Sequence, residues 1–362
     1  MSFLFGWMKN IVPATPEKIE AAAELAIPIV WLLGKTGAGK SSLIQTLTAL
    51  STIEVGNGYE PCTRTSRQFD YPADQPLLRF MDTRGLGEAN YDPADDLAAS
   101  AGHSQAILVL ARIDDPVQGE VAEALAEVLA KDPSKQVLLL HTGADLITDE
   151  EALSRAKAAN AEVFRLKTGR PLREVTVAMP PEKPDENTGI DEVIEHLEVM
   201  LPAAALLLAR QNSQSAEQIA FEQIRTRVLT YATAAGATDA LPLVGIASVP
   251  AVQIAMLYYL GTFYGVSWDR KVSTAFLGSM GVGLAARFSA NFGIRQIAKL
   301  IPVYGQTVGA AAAGTISFAT TYALGRAAAM FLHYRAWSKP LSSETLQAVY
   351  RDAFSRANHA KN

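Results

Sequence analysis

The 362-residue chain has one cysteine, Cys62, so no internal disulfide framework is possible and a reducing compartment suits it. It has no run of lysine or arginine, and its formal net charge is −5. Nucleic-acid binding draws on clustered basic charge, so no nucleic-acid partner is expected. The five histidines, His103, His141, His196, His333 and His359, lie far apart and show no metal-ligand spacing, and no Ser-His-Asp or Cys-His set is expected. The apolar start, "MSFLFGWMKNIVP", has no basic leading region and no small-residue cleavage site, and does not read as a secretory signal. Charge is scarce overall, at 19% Asp, Glu, Lys and Arg, and the mean hydropathy is positive. That scarcity points to a large core or to membrane contact.

Residues 26–203 alternate short apolar runs with helical stretches. "IPIVWLLG" (27–34), "SQAILVLAR" (104–112), "QVLLLHTG" (136–143) and "EVTVAMP" (174–180) read as buried strands. "SRQFDYP" (66–72) and "LLRFMDTRG" (77–85) read as an antiparallel pair. Helical stretches follow at 35–50, 120–131, 149–167 and 189–211. The pattern predicts an α/β domain, a mostly parallel sheet with helices on both faces. After Gln211 the pattern becomes helical and oily: residues 240–268 and 300–325 carry no charge. The expected organisation is an N-terminal amphipathic segment (1–25), the α/β domain (26–203), a helical connector (204–238), an all-α hydrophobic domain (239–338) and a polar tail (339–362). "LPLVG" (241–245) and "IPVYG" (301–305) each precede a glycine twenty residues on, Gly265 and Gly325, which predicts two similar hairpins.

"GKTGAGKS" (34–41) matches G-x-x-x-x-G-K-[ST] between a strand and a helix. Backbone amides of such a loop turn inward around phosphates, and the helix N-terminus adds favourable potential. Gly34, Gly37, Ala38, Gly39, Lys40, Ser41 and Ser42 are the expected phosphate contacts. Lys40 is expected on the β- and γ-phosphates, and the Ser41 hydroxyl on Mg²⁺. "DTRG" (82–85) ends a strand: Asp82 is expected to hold Mg²⁺ through a water, and the Gly85 amide to bond the γ-phosphate. In "PCTRT" (61–65), Thr63 is the first candidate for a hydroxyl that completes the Mg²⁺ shell, and Thr65 the second.

"GKTGAGKSS", "CTRT", "DTRGL" and a strand ending in "TGAD" together resemble the Era-like P-loop GTPases of the translation-factor-related class. "ALPLVG…YYLGTFYG" and "KLIPVYGQTVGAAAAGTISFATTYALG" resemble the helical, membrane-associated domain of YcjF-like proteins. The first resemblance implies GTP and GDP as ligands, Mg²⁺ as cofactor and hydrolysis as the reaction. It also implies that Asp145 reads guanine, because its carboxylate accepts from guanine N1 and N2 and adenine lacks that donor pair. An Asn-Lys-x-Asp signature would span 142–145. Here Thr142 stands at the asparagine position, and Gly143 at the lysine position offers no stem over the base. ATP therefore remains the competing ligand.

Leu86 stands where Ras-like proteins carry a water-orienting glutamine, so intrinsic turnover is expected to be slow. The missing group would come from a partner protein or a second copy. Arg64, Arg67 and Arg84 are candidates for a charge-stabilising finger, or are plain solvated loop residues. Gly37 stands where potassium-stimulated relatives carry asparagine, so no potassium activation is expected.

Residues 241–266 are long enough to span a bilayer, and their eleven Leu, Ile, Val and Phe residues give about −5 kcal/mol on an insertion scale. Residues 301–325 have six and give about −3. Positive charge flanks both ends of these segments. That favours shallow helical hairpins or a soluble bundle over clean spans. Trp268 and Trp337 read either as interfacial anchors or as core residues. Phe3, Leu4, Trp7, Met8 and Ile11 share a helical face that would meet a membrane surface or cap the helical domain. The expected location is cytoplasmic, at the inner face of the membrane. The rival reading is a soluble switch whose helical domain docks a protein partner.

Overall fold

The computed structural model describes residues 12–49, 67–82, 104–208, 215–240, 248–280 and 310–358. The chain divides into two compact units. One is Pro28–Ala209; the other joins Met1–Ile27 to Arg210–Asn362.

The first unit is built on a six-stranded sheet in the order β2-β3-β1-β4-β5-β6. Its strands are β1 (Ile29–Gly34), β2 (Arg67–Tyr71), β3 (Leu78–Asp82), β4 (Ala106–Arg112), β5 (Gln136–Thr142) and β6 (Arg173–Val177). Only the β2–β3 pairing is antiparallel; the others are parallel. The expected α/β class and the antiparallel pair are both present. Central strands covered on both faces bury their side chains, all but Ile29 and Arg112 at the strand ends, and this is why β1 and β4 read as apolar runs. Trp31, Leu33, Met81, Ile107, Val109 and Leu139 form one core layer. Val121, Leu125 and Val128 of α3 (Gly119–Lys131) close it, with Phe164 of α4 (Glu150–Thr168). Phe164 is fully buried, and truncating such a side chain to alanine costs about 3–5 kcal/mol.

Between α1 (Pro16–Glu24) of the other unit and α3 comes α2 (Lys40–Thr48), which packs on β1. Asp149 caps α4, accepting from the Glu151 and Ala152 amides. The stretch 189–211 is not one helix. α5 (Ile190–Met200) stops before Pro202, and α6 (Pro202–Leu208) starts on it. Proline has no amide hydrogen to give to the turn behind it, so it opens a new helix instead.

The second unit contains α1, α7 (Ala216–Ala240), α8 (Val249–Phe263), α9 (Arg270–Ser279), α10 (Ala310–Ala336) and α11 (Ser343–Asn358). α10 packs on α7, α8 and α11, and α1 packs on α7. The N-terminal helix thus belongs to the helical unit, tied there by Arg227 to Glu20 at 3.2 Å and by the Ala14 amide to the Ala251 carbonyl. A Cβ on Gly236 would meet the Gly314 carbonyl oxygen at 2.9 Å, so α7 and α10 approach where neither carries a side chain.

The glycine pair seen in the sequence does not mark equivalent positions. Gly265 follows the end of α8 with φ of +65°, whereas Gly325 lies inside α10, where a Cβ would meet Val228 Cγ1 at 2.6 Å. "LPLVG" and "IPVYG" themselves lie outside the described residues.

Among the described residues, no helix is long and apolar enough to cross a membrane. α8 has 15 residues, about 22 Å of helix against a hydrocarbon core of about 30 Å. α10 has 27 residues but carries Arg326, His333 and Arg335. Residues 241–247 and 281–309, which hold the rest of the two oily segments, lie outside the described residues, as do Phe3, Leu4, Trp7, Met8 and Ile11. Trp268 is a core residue rather than an interfacial anchor. It is 7% exposed, donates its indole N–H to the Leu257 carbonyl and packs on Phe276 and Phe331. Trp337 is 68% exposed.

Candidate functional site

β1 has β3 on one side and β4 on the other, so the chain leaves it in opposite directions across the sheet. In an open parallel sheet, ligands sit at such a reversal, outside the carboxyl ends of the strands. Gly34 ends β1, Asp82 ends β3, Arg112 ends β4 and Thr142 ends β5, all at that edge.

The loop after β1 is shaped by its glycines. Gly34 pairs with Leu110, and a Cβ on it would meet the Leu110 carbonyl oxygen at 2.6 Å. Gly37 and Gly39 have φ of +81° and +91°, and Gly39 caps α2. The left-handed turn at Gly39 carries the loop straight into the helix N-terminus, where amides lack internal partners.

Lys40 is 8% exposed. Its ammonium donates to the Gly34 carbonyl at 2.9 Å and the Lys35 carbonyl at 3.0 Å, and lies 3.8 Å from Asp82 Oδ1. A buried cation is thus held by loop carbonyls beside a carboxylate. Ser41 and Ser42 are exposed on the first turn of α2. Ala38 is buried, and its carbonyl accepts the Thr142 hydroxyl at 2.8 Å. Thr142 is 2% exposed, so its hydroxyl is committed to the loop.

Asp145 is exposed on a short 3₁₀ turn, Ala144–Leu146, entered through Gly143 with φ of +72°. Thr63 and Gly85 lie outside the described residues, as do Thr65, Leu86, Arg64 and Arg84. Arg67 is the first residue of β2 and pairs with Asp82 across the β2–β3 ladder. The structure therefore gathers Gly34, Gly37, Ala38, Gly39, Lys40, Ser41, Ser42 and Asp82 with the β5 end that carries Thr142 and Asp145.

Lys35, Arg112 and Met179 were not singled out in the sequence, whereas "DD" at 114–115 reads there as a turn or cap pair. Lys35 pairs with Asp115 at 2.9 Å. Asp115 also accepts from the Val117 amide, and Lys35 and that amide hold its carboxyl below the usual range against the opposing effect of burial. Arg112 grips Asp114 with both arms of its fork, at 2.6 and 3.1 Å, and reaches the Gly37 carbonyl at 3.4 Å. The Asp114 hydrogen bonds raise the arginine above its ordinary value, with Asp145 and Asp115 adding to the effect. "DD" at 114–115 is thus a turn pair that also braces the loop. Met179, from the segment after β6, lies close to Gly39: a Cβ there would sit 3.5 Å from Met179 Cε. The signal for these residues was their position just past strand ends on the loop's edge of the sheet.

His141 is fully buried beside this edge. Its Nε2 lies 3.0 Å from Glu174, while Nδ1 has no hydrogen-bond partner among the described residues. Burial pushes the imidazole below its ordinary value, against the opposing pull of Glu174. A neutral ring that donates from Nε2 fits both observations.

The sheet order, the glycine-turned loop and the buried lysine define a P-loop nucleotide-binding domain. Residues 29–142 match the model of a family described as 50S ribosome-binding GTPase. Magnetosome membrane protein 22 of Magnetospirillum gryphiswaldense is 28% identical over 148 residues, which cover 40% of this chain and 73% of that protein. Solved structures that resemble the chain include Toc33 from Arabidopsis thaliana, as a dimerization-deficient mutant. It is 18% identical with a TM-score of 0.38, and the match covers 57% of this chain and 97% of that one. Two elongation factors also match: bacterial selenocysteine-specific EF-Sec, at 17% identity and a TM-score of 0.35, and SelB from Methanococcus maripaludis with the GTP analogue GppNHp, at 15% and 0.34. These matches cover 48% and 52% of this chain but span only 28% and 36% of the two factors.

Proposed function

We propose that the chain is a regulatory switch that binds GTP, hydrolyses it slowly with Mg²⁺, and couples the change to its helical unit at a membrane surface. In this reading the first unit is Era-like and the second is YcjF-like. The observation that carries the reading is the meeting of the glycine-turned loop, Lys40 and Asp82 at one edge of the sheet, with the exposed Asp145 at the adjoining strand end.

Gly34, Gly37, Ala38, Gly39, Ser41 and Ser42 would bind the phosphates through their amides. Lys40 would swing from the Gly34 and Lys35 carbonyls onto the β- and γ-oxygens. Asp145 would accept from guanine. The donor chemistry fits Mg²⁺: the exposed Ser41 hydroxyl and the Asp82 carboxylate are hard oxygens, and this ion takes one or two protein ligands beside substrate phosphates. Thr63 would add a third oxygen and Gly85 an amide to the γ-phosphate. Bound Mg²⁺ would neutralise charge developing on the phosphate oxygens. With Leu86 in place of a water-orienting group, a partner protein or a second copy would supply that group.

The membrane part draws support from the oily composition of the helical region and from the 28% identical relative, a magnetosome membrane protein. The short α8 and charged α10 favour surface contact or shallow hairpins over a span. The buried Trp268 cluster gives the helical unit a packed core of its own, which suits the second reading, a soluble switch whose helical unit docks a protein partner.

Calorimetry with GTP, GDP and ATP in Mg²⁺ tests the first part. Guanine nucleotides should bind more tightly, and Asp145→Ala should erase the preference. Unchanged selectivity in that variant would refute the assignment. Flotation with anionic and neutral vesicles tests the second part, and a chain that never floats would leave the protein-docking reading.

A further inference from the structure

Gly143 leaves one flank of the Asp145 turn bare, yet that flank is not empty. A Cβ built on Gly143 would lie 3.8 Å from Arg112 Cγ and 3.1 Å from Leu146 Cδ1. The Arg112 stem therefore borders, at ordinary contact distance, the space that a side chain at Gly143 would enter. Arg112 reaches it from the neighbouring strand, since it pairs with Thr142 in the β4–β5 ladder. Its guanidinium is anchored twice, by the two-armed grip on Asp114 and by the contact with the Gly37 carbonyl of the phosphate loop. Leu146, 51% exposed, offers apolar surface on the same turn.

We propose that Arg112 is a positioning residue of the nucleotide site, its stem forming one wall of the base slot in place of the side chain that Gly143 lacks. The inference rests on the guanine-nucleotide reading above. A purine presents a flat apolar face, and an arginine stem and guanidinium plane lie well against such a face. The Asp114 grip holds the stem in place before the ligand arrives, so little side-chain freedom is lost on binding. The Gly37 contact ties the same side chain to the phosphate loop, so wall and loop move together. Recognition of guanine stays with Asp145; Arg112 supplies contact area for the base.

The test compares the full-length wild type with Arg112→Ala and Arg112→Met in Mg²⁺. GDP affinity is read by calorimetry, and inorganic pyrophosphate affinity by competition with GDP. Arg112 is 43% exposed and Asp114 is 41% exposed, so truncation strands no buried charge; melting curves verify folding. The alanine variant should lose about tenfold in GDP affinity, roughly 1.4 kcal/mol, while pyrophosphate changes less than about twofold. The methionine variant loses the Asp114 grip as alanine does but keeps a stem, and should stay within about threefold of wild type for GDP. Equal losses for GDP and pyrophosphate would overturn the proposal and leave Arg112 as a prop for the loop. So would unchanged GDP affinity in Arg112→Ala, or a methionine variant as weak as the alanine one. A wild type that binds no guanine nucleotide would instead remove the functional reading, and the base wall with it.

Discussion

The Thr142 hydroxyl donates to the Ala38 carbonyl across 104 residues of sequence, at 2.8 Å and out of contact with water. It latches the end of β5 to the phosphate loop, and the strand that leads to Asp145 is thereby fixed relative to the amides around the phosphates. Thr142→Val keeps the shape and removes the donor, leaving a buried carbonyl unpaired. The expected cost is about 1–3 kcal/mol. GDP affinity should fall with it, and Thr142→Ser should recover most of the loss. Calorimetry on the three proteins checks this; a valine variant that binds like wild type would show that the latch is idle.

Gly34 makes a second demand on the loop. Its missing side chain lets β1 and β4 pair with the Leu110 carbonyl close by, and a methyl group there would sit 2.6 Å from that oxygen. Gly34→Ala must push the strands apart or bend the loop entry. A destabilisation of about 1–3 kcal/mol in urea, together with weakened nucleotide binding, is expected. Gly37→Ala forms a useful contrast, because no atom lies within 4 Å of its Cβ and its cost is limited to the strain of a φ of +81°.

Much of this site was legible before the structure, for a physical reason. A phosphate loop needs glycines, a lysine and a following helix at fixed spacing, and buried parallel strands need unbroken apolar runs. Both requirements leave a local imprint. Arg112 leaves none, because a charged residue at a strand end reads as a solvated side chain. Its meaning depends on Gly37 and Gly143, which are 75 residues before it and 31 after it in the chain. That the N-terminal segment meets the helical unit was one of two readings, but the contact that ties α1 there was hidden, since Glu20 and Arg227 meet across 207 residues. Thr142 stands at the asparagine position of the base-reading signature, and sequence does not say where its hydroxyl goes. Only the fold reveals that Ala38 takes it.

His141 gives the first unit a dependence on pH. Burial depresses its folded value below the ordinary 6.5 of an unfolded histidine. Between those two values the unfolded chain binds more protons than the folded one. Stability is then fully present above about pH 6.5 and is lost as the pH falls toward the folded value. Urea denaturation at pH 8, 6.5 and 5.5 should show the wild type losing stability on acidification. His141→Gln, which keeps a donor toward Glu174 and cannot titrate, should lose less. Parallel curves for the two proteins would remove His141 as the source.

The helical unit holds a buried ion pair whose loss should be severe and whose replacement should not. Arg326 of α10 grips Glu217 of α7 with both arms, at 2.5 and 3.0 Å, with side-chain exposures of 15% and 6%. Its guanidinium also lies 4.6 Å from the centre of the Phe221 ring. Desolvating two charges offsets most of their attraction, so the pair adds little net stability, but a lone buried charge costs about 3–5 kcal/mol. Glu217→Ala should therefore destabilise the unit by about that amount. Changing both residues, Glu217→Leu with Arg326→Met, should recover most of it. Trp268 lies in the core of this unit and Trp31 in that of the first, so fluorescence in urea follows both transitions, and the variants should move only the one that Trp268 reports. If the double variant is as unstable as Glu217→Ala, the pair contributes packing that apolar side chains cannot reproduce, and the bidentate grip itself is part of what joins α7 to α10.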